Sequence, residues 1–469
     1  MEKILRFLER YIIPQSLYKL GQPFYHWLLS FAGAVRYGFP ARRLVMIGIT
    51  GTKGKTTTAQ YLTSILEEGG LKVASLSSLR FRILGRERKN EYKMTMPGRF
   101  VIQEFLREAV RAGVTHVVLE VTSEGIRQFR HKNIKWHTLV FTNLAPEHIE
   151  SHGGYDNYRR TKGHLFSERH ETSIVNLDDK EAEYFLGFPA KKKVGYGIKS
   201  EILNLKSKID HIVVAKDIKL AERNAEFKLN SEAMRIDLPG EFNVYNALAA
   251  GTAALEFGVP PGKIRAGLAN AGHIPGRMEE IKEGQPFRVV VDYAHTPDSL
   301  REVYKTLKPA SGRLIAVLGA AGGGRDKWKR PEFGKIAAEY CAEVFVTNED
   351  PYDEDPSQIL SEIKSGISNS QFPILPSEEH AEGSALRDVR ASAKHGVLSN
   401  THTILDRREA IRAALKSARP GDVVVVTGKG AESVIMGPHG ARLPHDDRAV
   451  ARELLLELRG GMKITTPKK

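Results

Sequence analysis

One cysteine, Cys341, stands in a chain of 469 residues. It has no partner for an internal disulfide, and no Cys-based zinc cluster can be built from it. Such usage fits a reducing compartment. Long apolar runs are missing too. The stretch Phe24–Val35, FYHWLLSFAGAV, has twelve residues, where a helix needs about 20 to span a bilayer. It follows Lys19 and ends near Ala32-Gly33-Ala34, the outline of a signal peptide. A nucleotide-type loop follows at once, so that reading is rejected. There is no short-period repeat, no low-complexity tract and no dense basic arm. The net charge of +14 is spread along the chain. That spread argues against nucleic acid as a partner and for a site that gathers phosphates and carboxylates.

What is present is an ordinary globular composition, 41% hydrophobic and 27% charged, long enough for two or three domains. The organising stretch is VMIGITGTKGKTTTAQYL, Val45–Leu62. An apolar run over Leu44–Ile49 reads as a buried strand. A turn follows through Gly51, Thr52, Lys53, Gly54, Lys55 and Thr56, with Thr57 after it. A helical pattern then continues through Tyr61, Leu62, Ile65 and Leu66. Strand, Gly-rich turn, helix is the setting in which Gly-Lys-Thr cradles phosphates. The glycines let backbone N–H groups turn inward, and the helix N-terminus adds partial positive charge. Lys55 reaches terminal phosphates and Thr56 offers a hydroxyl to Mg²⁺. The strict Walker spacing fails, because Ile49 stands where that pattern wants glycine.

Residues 44–273 alternate strands and helices: strands at Val114–Val121, Thr138–Leu144 and Ser173–Leu177, helices at Phe100–Ala112 and Asp156–Arg169. This predicts a mainly parallel sheet covered by helices. Lys199–Pro239 alternates in short segments and reads as an antiparallel β insertion; Glu241–Phe257 is a helix. A second α/β unit, 274–460, has strands at Arg288–Val291, Leu314–Leu318, Val344–Thr347 and Val423–Thr427, and a basic tail, 461–469, follows. In residues 1–43, Ile4, Leu5, Phe7, Leu8, Tyr11 and Ile12 fall at helical spacing. Two readings stand for this segment: a helix packed on the body, or an interfacial helix with Tyr25, Trp27 and Tyr37 at the headgroups and Arg36, Arg42 and Arg43 beside anionic lipid. In an open parallel sheet the carboxyl ends of strands meet at the ligand crevice. Glu120 ends one strand and Glu147-His148 follow another, so Glu120 and His148 are candidates to reach a Mg²⁺ near Thr56.

The runs GITGTKGKTTT, LEVTSEGIRQFR, FTNLAPEHIESHGGYDNYRRTKGHLF, LPGEFNVYNALAA, IPGRME, VDYAHTPDSL, GGRDKWKRP and TGKGAE resemble the Mur ligases, in that family's order, from about residue 45 to 450. The resemblance is closest to the muramyl-tripeptide synthetases. It implies an α/β fold: a P-loop central domain with a mainly parallel sheet and a small antiparallel insertion, then a Rossmann-like C-terminal domain. It also implies a cytoplasmic enzyme, expected to be monomeric. This enzyme joins an amino acid to a UDP-muramyl peptide, with ATP forming an acyl phosphate on the donor carboxylate. Thr56, Glu120, His148 and Lys162 match metal positions, Lys162 as a carbamylated lysine for the second of two Mg²⁺ ions. Asn243 and Asn246 match the adenine side, and Arg277, Asp292 and His295 match ATP contacts from the C-terminal domain. Thr95, Pro97, Thr122, Gln128 and Arg130 match the donor pocket; Thr122 replaces the family's usual Ser, and Met96 a second Thr.

Two departures stand out. About forty residues precede the loop, fewer than the family's uridine-binding domain needs. The motif Asp-Asn-Pro-Arg, which grips the amino acid in diaminopimelate enzymes, reads Glu349-Asp350-Pro351-Tyr352. The arginine that would clamp a distal carboxylate is absent. Asp350, Tyr352 and Glu432, with Gly428 beside them, then suit a distal amine, as in lysine or ornithine. The rival readings are a folylpolyglutamate-synthase-like ligase, which shares the short N-terminus, and a non-catalytic scaffold at the inner face of the membrane.

Overall fold

The computed structural model describes residues 15–92, 94–198, 209–368 and 400–461. The helical spacing at Ile4–Ile12, part of the 199–239 insertion and the basic tail after 461 lie outside the described residues. The first sheet contains β1 (Val45–Thr50), β2 (Val73–Leu76), β3 (Arg80–Ile83), β4 (Arg86–Lys89), β5 (His116–Glu120), β6 (Trp136–Phe141), β7 (Thr172–Asn176), β8 (Lys192–Gly197), β9 (His211–Leu220), β10 (Ala225–Leu229) and β11 (Glu232–Ile236). Their order is β11-β10-β9-β8-β7-β6-β1-β5-β2-β3-β4. β1 sits mid-sheet, parallel to β5 on one side and β6 on the other, with Ile49 opposite both Glu120 and Val140. The three strands are buried on both faces, which explains the near-continuous apolar runs VMIGI, HVVL and TLVF.

The segment expected as an antiparallel β insertion forms the edge of this same sheet. β9 pairs in parallel with β8, Val194 opposite His211, and only β10 and β11 continue antiparallel. The alternation seen in AEFKL is the one-sided burial of an edge meander, Ala225, Phe227 and Leu229 inward. Helices Lys55–Glu68, Glu241–Glu256 and Pro261–Asn270 cover one face; Arg99–Arg111 lies over the other, packed with Phe81 and Trp136.

The second sheet comprises β12 (Glu279–Glu280), β13 (Arg288–Asp292), β14 (Leu314–Leu318), β15 (Glu343–Val346), β16 (Thr401–Thr403) and β17 (Val423–Thr427), in the order β12-β13-β17-β14-β15-β16. All of its pairs are parallel except β12 with β13. Helix Gln15–Tyr37 packs across Arg99–Arg111, with Ala34 fully buried and Ser30 donating to the Lys132 carbonyl at 3.1 Å. No helix among the described residues is long and apolar enough to cross a membrane.

Candidate active site

The carboxyl ends of β1, β5 and β6 converge on the loop Gly51–Gly54. Two of its glycines are dictated by space. Gly51 has φ 151° and Gly54 φ 81°; a Cβ would strike the Thr142 hydroxyl at the first and the Asn246 amide at the second. Helix Lys55–Glu68 starts directly after the loop, so its free N–H groups and dipole face the crevice. The Lys55 Nζ donates to the carbonyls of Gly51 and Thr52, both at 2.9 Å, and burial lowers its pKa. Thr52, predicted with the loop, turns its hydroxyl to the Ala145 carbonyl and the Tyr158 hydroxyl, and Thr57 is buried in the helix. The Asn246 amide donates to the Asn243 Oδ1 at 3.1 Å, and Asn243 donates to the Pro239 carbonyl at the start of the same helix, Glu241–Glu256, whose Asn246 lies against Gly54.

Thr56 and Glu120 do meet. The Thr56 hydroxyl donates to Glu120 Oε2 at 3.1 Å, and Glu120 Oε1 accepts the Ser78 amide at 3.0 Å. Burial raises the Glu120 carboxyl, with Lys55 pulling the other way. Two hard oxygen donors beside a phosphate loop fit Mg²⁺, which keeps waters and substrate phosphates in its other positions. No three His, Cys, Asp or Glu gather as a closed metal cage among the described residues. His148 and Lys162 make no hydrogen bond to Thr56 or Glu120 among the described residues. Burial drops the His148 imidazole to about 3, so it is neutral and able to ligate. The Lys162 ammonium is 2% exposed and donates to the Gly51 carbonyl at 2.9 Å. Burial and the neighbouring cations Lys55 and Lys53 push it well below the usual lysine range.

The C-terminal domain closes over this floor. His295 Nδ1 lies 2.6 Å from the Tyr293 carbonyl, which can only accept, so Nδ1 carries the proton. Nε2 sits between the Lys53 Nζ at 3.0 Å and Glu147 Oε1 at 2.9 Å, and the Lys53 Nζ donates to the same Glu147 oxygen at 3.1 Å. Burial holds His295 near 4, and burial likewise lowers Lys53 to about 8 against the pull of Glu147. For Glu147 burial would raise the pKa, but Lys53 and His295 outweigh it and keep the carboxylate charged. One charged lysine thus bridges the two domains. Raising pH through about 8 discharges Lys53 and removes both the bridge and a cation from the phosphate loop. The kcat/KM for ATP is expected to fall on an alkaline limb near that value. Lys53→Arg, which stays charged, is expected to move that limb well upward; an unmoved limb would assign it to another group.

Asp292 and Arg277 do not point freely into the crevice. The Asp292 carboxylate accepts the amides of Met278 and Ala294, both at 2.8 Å, and the Arg277 guanidinium lies 4.4 Å over the Tyr293 ring. In the proposed donor pocket, Arg130 donates to the Met96 carbonyl and to Gln128 Oε1 at 2.6 Å, beside Thr95 and the buried Pro97. The Thr122 hydroxyl accepts the Gly125 amide at 3.0 Å as a helix cap.

The acceptor-side residues also assemble, around Lys429. Its buried ammonium donates to Asp350 Oδ1 at 2.8 Å and Glu432 Oε2 at 3.1 Å. Burial would lower Lys429, but Glu432, Asp350 and Glu349 raise it. Asp350 also accepts the Met436 amide at 2.7 Å, so its oxygen is already engaged. Tyr352 holds the left-handed region, φ 53°, beside Arg325. Gly428, at φ 108°, has no room for a Cβ against Glu349. Glu349 is buried, and its Oε2 has no hydrogen-bond partner among the described residues.

Sequence reasoning missed Ser78, Lys429 and Asp326. Ser78 follows β2, and its hydroxyl lies 2.8 Å from that of Thr56, a contact that only the strand order creates. Asp326 accepts the amides of Ile149 and Glu150 at 3.1 and 2.9 Å, across the domain interface. It fixes the turn in which His148 takes φ 58°. GGRDKWKRP was the available signal for it.

A phosphate loop, the Thr56–Glu120 pair beside it and a second domain folded over both fit an enzyme that uses a nucleoside triphosphate. Comparison with known proteins makes the class specific. Residues 49–254 match the Mur ligase middle domain and residues 276–430 the Mur ligase, glutamate ligase domain. A UDP-N-acetylmuramoyl-L-alanyl-D-glutamate–2,6-diaminopimelate ligase of Geobacillus kaustophilus is 35% identical over 434 residues, 90% of this chain and 81% of that protein. A UDP-N-acetylmuramyl-tripeptide synthetase of Roseiflexus is 36% identical over 446 residues, covering 91% and 81%. A solved diaminopimelate ligase structure superposes with a TM-score of 0.57 at 29% identity, covering 89% of this chain and 79% of that one. The chain belongs to the Mur ligase family.

Proposed function

We propose that the protein joins a diamino acid to a UDP-N-acetylmuramyl-dipeptide in peptidoglycan synthesis, as a cytoplasmic monomer. The terminal phosphoryl of ATP passes to the donor carboxylate, leaving ADP. The amine of the acceptor attacks the acyl carbon, and phosphate departs with the bond to that carbon. A carboxylate is a poor electrophile, and two anions must approach each other in the first step, so charge neutralisation is the main task of the site. Bound Mg²⁺ supplies part of it. Thr56 and Glu120 would hold one ion; His148 and a carbamylated Lys162 would hold the second. Lys55 sets a cation over the loop. Lys53 draws His295 and the C-terminal domain onto it.

The observation that carries the acceptor class is the carboxylate cluster Glu349, Asp350 and Glu432 around a single Lys429, with Glu349 Oε2 left unpartnered. It favours a cation at the distal end of the substrate. Tyr352 stands where an arginine would receive a carboxylate. The test is phosphate release with UDP-muramyl-dipeptide, Mg²⁺, bicarbonate and each amino acid in turn. Lysine or ornithine is expected to support turnover; a response to neutral amino acids alone would overturn the reading. Tyr352→Arg is expected to shift preference toward an acceptor with a distal carboxylate by about tenfold to a hundredfold, the reach of one charge-assisted hydrogen bond of about 1.5–3 kcal/mol.

A further inference from the structure

The helix Gln15–Tyr37 has two faces, and the packed face accounts for only one of them. Toward the body it buries Ser30 and Ala34 and lays Gly33 against the Arg99 carbonyl. Away from the body it exposes Phe24 (66%), Trp27 (43%), Leu28 (46%), Phe31 (38%) and Val35 (52%). At 3.6 residues per turn these five positions fall within an arc of about 100°. The aromatics form a ladder. Phe24 stacks on Trp27 at 6.3 Å, Trp27 on Phe31 at 5.5 Å and 5°, and Phe31 meets Phe39 edge-on at 6.0 Å. The Arg42 guanidinium closes it, 4.2 Å over the Phe39 ring.

Charge along this stretch of the sequence has one sign. Between Glu9 and Glu67 the sequence contains no aspartate or glutamate, whereas Lys19, Arg36, Arg42 and Arg43 lie on or next to the helix. Arg36, Arg42 and Arg43 are exposed. A protein partner could match the apolar stripe, but a border of exposed arginines, Arg36, Arg42 and Arg43, suits an extended anionic surface. Aromatic side chains with arginines at their edge suit the headgroup boundary, where the rings enter the acyl region and the guanidiniums meet phosphate. The helix is no span, so it would lie in the plane of the interface.

We infer that helix Gln15–Tyr37 docks the protein on an anionic lipid surface, with Phe24, Trp27, Leu28, Phe31 and Val35 inserted and Arg36, Arg42 and Arg43 at the headgroups. This goes beyond the ligase reaction and leaves it unchanged, because none of these residues touches the crevice. The test is sedimentation of the full chain with vesicles of phosphatidylcholine alone or mixed with phosphatidylglycerol. Binding to the mixed vesicles is expected to be at least about tenfold tighter and to weaken with salt. Trp27→Ser/Phe31→Ser and Arg42→Glu/Arg43→Glu are each expected to lower it by about tenfold or more, with the melting temperature and phosphate release retained. If the first pair fails to fold, the exposed arginine pair decides alone. Wild-type protein that stays in the supernatant, or binding that the variants keep, would overturn the inference. So would a dimer in light scattering that Trp27→Ser/Phe31→Ser dissolves, which would assign the stripe to a second copy of the chain.

Discussion

Lys55→Ala is expected to lower ATP-dependent phosphate release by about 10²–10³-fold while leaving the melting temperature close to that of the parent. The size follows from what the side chain does. It is the cation at the first position of the loop's helix, and its Nζ lies over the carbonyls of Gly51 and Thr52. Removing one preorganised positive group from a site where negative charge crowds costs about this much in rate. Stability is expected to change little, because Lys55 hydrogen-bonds only to loop carbonyls that face the crevice. It contributes no apolar contact to the core beneath. Its own burial is costly to the folded protein, as the lowered pKa shows, and alanine relieves that cost. The defect should appear in kcat more than in the KM of the acceptor, which is proposed to bind at the Lys429 cluster. Full biological activity in a Lys55→Ala strain would instead favour the scaffold reading, since a scaffold needs the fold and not the cation.

How much of this was legible beforehand depends on the range of the interaction. The strand–loop–helix of Val45–Glu68 is local, and its periodicity and Gly-Lys-Thr turn sufficed to place it. Glu120 beside Thr56 was legible through topology, because parallel strands must end on one edge. Ser78 was not, since β2 reaches that edge only by lying next to β5 in a strand order that no local pattern encodes. The antiparallel meander was legible as β, but its place at the edge of the first sheet was not, because alternation reports one-sided burial and is silent about which strand lies alongside. Motif matching also transfers residue types without their hydrogen-bond partners. Asp350 was legible as an acid in the acceptor motif, yet Lys429 and the Met436 amide already engage it. The acid with an oxygen that has no hydrogen-bond partner among the described residues is its neighbour Glu349, which the motif alone did not single out.

Lys162 offers the sharpest contrast between what a residue is in sequence and what its surroundings make it. An ordinary helix lysine is solvated and charged. Here the amine is buried, Lys55 and Lys53 disfavour a third positive charge, and the Tyr158 ring lies 4.9 Å away. Lowering the pKa favours the neutral, nucleophilic amine, the form that adds to CO₂, giving a carbamate and releasing one proton. The product is an anion, and the cations Lys55 and Lys53, which add to burial in disfavouring the ammonium, favour the carbamate. Lys162→Ala is therefore expected to lose about 10²–10³-fold in phosphate release, and activity of the parent to decline when bicarbonate and CO₂ are stripped. Lys162→Arg separates the alternatives. If a cation is what the site needs, arginine restores activity; if a carbamate is needed, arginine is as impaired as alanine, and Lys162→Glu, which places a carboxylate there, recovers part of the loss. Intact-mass analysis under CO₂, with and without trapping, checks the adduct directly. An unmodified parent that turns over at full rate without CO₂ would rule the carbamate out.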